Sequence, residues 1–413
     1  MKTLFANIAQ LACVHNGTTA LRGQQLSELR TIPDAYLLVE DGMIAAFGEM
    51  KTLTSTMASV KDRVDASGKI VLPAWCDSHT HLVFAATREN EFVDKLKGLS
   101  YADIARRGGG ILNSAAVLRD TNEDDLYAMT MERLREISGM GTGAVEIKSG
   151  YGLSVEGELK MLRVIKRLKQ DSPLLIRATF LGAHSVPPEF RENPDAYVDV
   201  VINEMLPVIK RERLADFIDV FCETGFFTVE QLRKIIRAGH QAGLHAKVHV
   251  NQLNAIGGVE AAVSEHALTV DHLETMTKEA IESLSGASTI ATLLPTAAFF
   301  LRMNYPPARE LIDRGCAVSL ASDFNPGSSP SGNMQLVIAM ACIQMRMLPA
   351  EAINAATFNG AFAMNVDSEA GSIAIGKRAN LIVTKPLSSL TLLPYYFGSN
   401  LVDKVFLSGI PLG

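Results

Sequence analysis

Through the middle of the chain, short runs rich in Val, Ile and Leu alternate with longer stretches whose apolar residues recur at helical spacing. Eight runs read as strands: "IVLPAWCDSHTHL", "GAVEIKSG", "LLIRATFLGAH", "DFIDVFCETG", "HAKVHVNQ", "LTVDHL", "TIATLLP" and "AVSLASDFNPG". Near-continuous apolarity over a few residues suits parallel strands buried on both faces. Between them lie helical patterns such as "NEDDLYAMTMERLREISGM", with Asn122 as N-cap, and "SVEGELKMLRVIKRLKQ", with its cap at Ser154. Eight strands alternating with helices predict an α/β fold, a (β/α)8 barrel of the TIM type. Both chain ends change rhythm to short strands and turns. "AYLLVEDGMIAAFGEM" predicts a hairpin around Asp41-Gly42, and "GSIAIGKRANLIVTK" and "KVFLSGIPLG" close the chain in the same manner. Each end is too short to fold alone, so the two are expected to pair into one small sheet domain.

Composition narrows the function classes. The 413 residues accommodate a barrel of roughly 250 residues with a smaller companion. The net charge is -6, with no run of Lys and Arg, so nothing marks a nucleic-acid surface. No stretch reaches the ~18 uninterrupted apolar residues of a membrane helix. The start, "MKTLFANIAQLACVHNG", lacks the long apolar segment of a signal peptide. Five scattered cysteines, an odd number without a C-x-x-C pair, suit free thiols in a reducing cytoplasm.

Chemistry in such a barrel gathers where strands end and βα loops begin. Five of the nine histidines fall at those ends: His79, His81, His184, His249 and His272. Lys148, Tyr151, Glu223 and Asp323 join them there. His-x-His on a strand turns both imidazoles to one face, because side chains alternate with period two. A solitary His-x-His fits a core or a wet surface just as well. Together, however, His79, His81, His249 and Asp323 make a three-nitrogen, one-oxygen set that leaves a water position open on a single metal ion. His245 precedes His249 at the spacing of a helical metal pair, but Gly243 and the β-branched Val248 and Val250 favour a strand. His245 then falls at its far end and is read as structural.

These strand-end residues resemble the amidohydrolase superfamily. The segments "DSHTHLVFAATRENEF", "YADIARRGGGI", "EIKSGYGL", "FLGAHSVPPE", "VHVNQLNAIGG", "TVDHLE" and "ASDFNPGSSPSGNM" are similar, more narrowly, to the imidazolonepropionase family of histidine degradation. The likeness spans nearly the whole chain. It implies a β-sandwich built from both termini, residues 1–68 and 362–413, beside a barrel at 69–361, and a cytoplasmic homodimer. It implies one zinc or iron ion on His79, His81, His249 and Asp323. Arg88, Tyr151, His184 and Gln252 would contact the imidazolone; Asn325, Gly327 and Ser328 would hold the ring or product; Tyr101 is a further partner for the substrate's carboxylate. The implied reaction is hydrolysis of a ring C–N bond of 4-imidazolone-5-propanoate to N-formimidoyl-L-glutamate. The metal would lower the pKa of a bound water from ~15.7 to ~7. Asp323 would shuttle the proton, and His272 would polarise the carbonyl.

Arg88 suits the propanoate because guanidinium grips carboxylate in a bidentate fork. Its plainer reading is a loop arginine paired with Glu89 or Glu91. Those acids, with Asn90, are otherwise expected only to hold the loop and orient Arg88. Deaminase-like relatives carry His-x-x-Glu on the fifth strand, where Glu protonates a departing amine. Here the motif is His249-Val250-Asn251-Gln252. An amide donates and accepts hydrogen bonds but is no acid. Imidazolonepropionases occur with either residue, so Gln252 is read as positioning substrate. Two alternatives stand beside this reading: a mononuclear aminohydrolase of another heterocycle, and a barrel scaffold without catalysis. Lys148 and Glu223 lack a second-metal pattern and are expected to support the site rather than ligate. Gly108 to Gly110 is a hinge candidate.

Overall fold

The computed structural model describes residues 1–99 and 109–412. Tyr101 and Gly108 lie outside the described residues. Two eight-stranded sheets organise the chain.

The first sheet comes from the two ends. It contains β1 (Lys2–Ala12), β2 (Thr31–Glu40), β3 (Met43–Glu49), β4 (Asp62–Asp65) and β5 (Lys69–Pro73) from the N-terminal part. The second sheet is the parallel barrel: β6 (Trp75–Asp77), β7 (Thr142–Lys148), β8 (Leu175–Ala183), β9 (Phe217–Cys222), β10 (His245–Val250), β11 (Thr269–His272), β12 (Ile290–Leu293) and β13 (Ala317–Leu320). The C-terminal part then adds β14 (Leu381–Pro386), β15 (Val402–Leu407) and β16 (Ile410–Pro411) to the first sheet, next to β5. Phe5 on β1 and Phe406 on β15 stack edge to face at 4.8 Å although β5 and β14 separate their strands. The sheet therefore curls into a small sandwich around Ile8, Leu37, Val71, Leu381 and Val383. The β2–β3 hairpin turns at Asp41 (φ 50°) and Gly42 (φ 81°), the left-handed pair that matches strand twist.

All eight predicted barrel strands are present, with helices between them. Asn122 accepts from Asp125 N at 2.8 Å at the start of helix Glu123–Gly139, and Ser154 accepts from Gly157 N at 3.1 Å before helix Val155–Asp171. The first apolar run divides, however. Its opening, β5, pairs with β1 and β14 of the terminal sheet; only after Ala74 does the chain enter the barrel. His245 lies exposed at the start of β10, on a strand as its neighbours predicted.

The barrel closes beyond the end of β6. Thr80 bridges Phe324 in parallel, His81 N donates to Phe324 O at 2.9 Å, and Asp323 N donates to His79 O at 3.0 Å. Ser322 fastens the same seam by donating from N and Oγ to Asp77, at 3.0 and 2.6 Å. Two of the expected ligand strands thus meet at the seam. Strand periodicity does the rest: Val248 and Val250 alternate along β10 with Lys247 and His249, so the barrel interior carries polar groups while the aliphatic set forms the layer against the helices.

Candidate active site

His79, His81, His249, His272 and Asp323 are all buried at one end of the barrel. Donor atoms of His79, His81 and His249 lie within 4.8 Å of one another, as do those of His79, His272 and Asp323. His79 Nε2 and His81 Nε2 approach to 3.3 Å, and Asp323 Oδ1 stands 3.4 and 3.6 Å from them. Buried imidazole nitrogens at that separation need a shared partner, and His249 Nε2 is buried with no hydrogen-bond partner among the described residues. The donor set fits a metal ion. Burial, reinforced by neighbouring positive charge, holds His79 and His81 well below the usual histidine range, so both are neutral and able to ligate.

Three of the four expected ligands, His79, His249 and Asp323, have a polar group behind them, whereas His81 Nδ1 is buried without a hydrogen-bond partner among the described residues. Asp271 Oδ2 accepts from His79 Nδ1 at 2.6 Å, which fixes the proton there and frees Nε2. Asp219 Oδ2 sits 2.9 Å from His249 Nδ1, off the line of a hydrogen bond. Ser328 Oγ donates to Asp323 Oδ2 at 3.0 Å, leaving Oδ1 toward the histidines. Asp323 (φ 53°) and His272 (φ 88°) both hold left-handed backbone that costs non-glycine residues of order 1–3 kcal/mol. His272 Nδ1 lies 3.4 Å from Glu274. Burial opposes a charged His272, but Glu274, Asp323 and Asp271 outweigh it and raise its pKa. Burial raises Asp323 and pushes Asp77 up to about 7, against the Ser322 bonds.

Around this centre His184 stacks on His81 at 5.3 Å, with Tyr151 5.9 Å from His81 and 5.5 Å from His184. His184 Nδ1 donates to Gly150 O at 3.0 Å, and burial lowers its pKa to about 3. Gly150 has φ 109°, and a Cβ there would meet His184 Nδ1 at 2.9 Å. Asn325 uses both ends of its amide inside its own loop: Nδ2 donates to Asp323 O and Ser328 Oγ, Oδ1 accepts from Gly327 N and Ser328 N. Arg88 gives Nε and Nη2 to Glu91 Oε2 at 2.9 and 2.6 Å, while its Nη1 leans over Gly327, where a Cβ would collide with it. Glu91 Oε1 also accepts from Gly110 N at 2.8 Å. Arg88 is thus drawn over the loop that holds Asp323. Gln252 is half-buried in the loop after β10. Glu223 grips that loop through Leu253 N and Asn254 N, at 2.8 and 3.1 Å.

The amidohydrolase family model matches residues 70–411, from β5 to the end of β16. Imidazolonepropionases of Flavobacterium johnsoniae and Flavobacterium psychrophilum are each 53% identical over 410 residues, covering 99% of this chain and 99% of theirs. The chain belongs to the imidazolonepropionase family of amidohydrolases. A triazine hydrolase variant shares the fold, with a TM-score of 0.76 at 16% identity, over 100% of this chain and 94% of its own.

For this imidazolonepropionase-family chain, sequence reasoning missed the groups behind the histidine cluster. Asp219, Asp271, Glu146 and Lys247 are fully or almost fully buried, yet none was singled out. The available signal was an acid or ammonium alternating with Val or Ile inside a strand, as in "IDVF", "TVDH" and "AKVH". A barrel interior is the one place where such a residue is buried and paired.

Proposed function

We propose that the chain hydrolyses 4-imidazolone-5-propanoate to N-formimidoyl-L-glutamate, a step of histidine degradation. The observation that carries this reading is the near-full-length identity to imidazolonepropionases. The buried ligand cluster supports it. His79, His81, His249 and Asp323 would hold one ion, zinc or iron, both of which accept this donor set. When bound, such an ion supplies Lewis acidity and water activation at neutral pH.

The chain's own residues do the rest. Water adds to the ring carbonyl, the C–N bond breaks, and the departing nitrogen gains a proton. Asp323 accepts the proton of the attacking water and passes it to that nitrogen. Its Oδ1 is the oxygen left toward the histidines by Ser328. His272, whose pKa Glu274 raises against burial and whose Nδ1 lies 3.4 Å from that carboxylate, is placed to donate to the developing oxyanion. Arg88 receives the propanoate with its Nη1 edge, and Tyr101 assists it. Tyr151, His184 and Gln252 line the ring; an amide at Gln252 positions substrate without acting as an acid. Asn325, Gly327 and Ser328 bound the product side. A cytoplasmic homodimer is part of this reading.

The test is product analysis. Purified protein given 4-imidazolone-5-propanoate is expected to yield formimidoylglutamate with no ammonia. Stoichiometric ammonia, as from a deaminase, overturns the proposal.

A further inference from the structure

Directly behind the ligand histidines lie three carboxylates and two ammonium groups with almost no exposure: Glu146, Asp219, Asp271, Lys148 and Lys247. Burying ions costs several kcal/mol apiece unless each is well paired. The pairing is uneven in an informative way. Lys148 Nζ lies 2.6 Å from Glu146 Oε1, 2.8 Å from Asp219 Oδ2 and 3.6 Å from Asp271 Oδ2. Lys247 instead meets the other oxygen of Glu146 and the carbonyls of Ser78 and Ala363. Among the described residues, Lys148 is the one cation paired with both aspartates.

The oxygens it touches are the ones the ligands use. Asp271 Oδ2 takes both Lys148 and the proton of His79 Nδ1. Asp219 Oδ2 faces both Lys148 and His249 Nδ1. His79 follows β6 and His249 lies on β10, strands that are not neighbours in the barrel. One ammonium therefore reaches two ligands from different walls.

We propose that Lys148 is a positioning residue for the metal site: a shared counter-ion that locks Asp219 and Asp271 so that His249 and His79 present Nε2 to one ion. This rests on the metal-site part of the proposed function and is independent of the substrate.

The test measures zinc affinity by competition with a chromophoric chelator, without substrate. Lys148→Met is expected to weaken zinc binding about 10–100-fold, the usual effect of losing a group that orients a ligand. Lys247→Met removes an equally buried ammonium that touches neither aspartate. It is expected to lower the thermal midpoint while zinc affinity stays within about threefold. Equal zinc losses in the two variants, or none in folded Lys148→Met, overturn the proposal. Should Lys148→Met not fold, Lys148→Met/Asp271→Asn removes one charge of each sign. Its zinc loss should fall well short of additivity between Asp271→Asn and a 10–100-fold Lys148 effect; full additivity contradicts a route through Asp271. Normal zinc binding without imidazolone turnover would instead count against the proposed reaction and leave Lys148 unaffected.

Discussion

Glu91 determines which edge of Arg88 is free. By accepting from Nε and Nη2 it leaves Nη1 facing the Gly327 loop. In the proposed reaction, the substrate's carboxylate would then meet a guanidinium already oriented. Arg88→Ala should raise KM for the propanoate substrate about 10–100-fold, the worth of charge-assisted hydrogen bonds, and leave kcat largely intact. A ring lacking the tail should be nearly indifferent to the change, and equal losses on both would remove Arg88 from the clamp. Glu91→Gln should shift KM in the same direction by less. Both bland and functional readings of this arginine were legible in "TRENEF"; the structure shows the pairing with Glu91, and the carboxylate clamp stands as a proposal. The gathering of the strand-end histidines was legible because strand ends and period two are written locally. Asp219 and Asp271 were not, because the ring each one meets belongs to another strand.

At the scale of elements, the loop after β13 is a rigid bracket for Asp323. Four hydrogen bonds from the Asn325 amide fold it back, and Ser328 reaches Asp323 from that fold. Asn325→Ala should lower kcat by about tenfold or more with the barrel still folded; unchanged kcat would show that Asp323 needs no bracket. Deeper in, Glu146 joins Lys148 to Lys247 across β7 and β10. Glu146→Ala leaves two buried ammonium groups short of a partner, and such losses cost about 3–5 kcal/mol. A drop in thermal midpoint of several degrees is expected, and an unchanged melt would contradict the network's role. The eight barrel strands and the cap at Asn122 were readable from pattern alone. The split between β5 and β6 was not, since apolarity runs unbroken through Pro73 and Ala74 while the strands that part them, β1 and β14 on one side and β7 on the other, are all distant in sequence.

For the whole molecule, a metal held on the proposed ligands would tie the seam between β6 and β13 to β10 across the barrel. Metal-loaded protein should melt above metal-free protein, by about 4 kcal/mol of linkage at a thousandfold excess over Kd. Metal analysis should return one ion per chain; two would end the single-site account. No helix among the described residues is long and apolar enough to cross a membrane. The barrel and the pairing of the two ends into one small sheet domain were both anticipated from pattern; that this domain is a sandwich came from family likeness. The most direct measurement follows the ring absorbance of 4-imidazolone-5-propanoate with protein as purified, after chelation, and after zinc or iron is restored. Loss of absorbance that stops on chelation and returns with the metal is the predicted result. Turnover that survives complete metal removal, or no turnover in the metal-loaded protein, would contradict it.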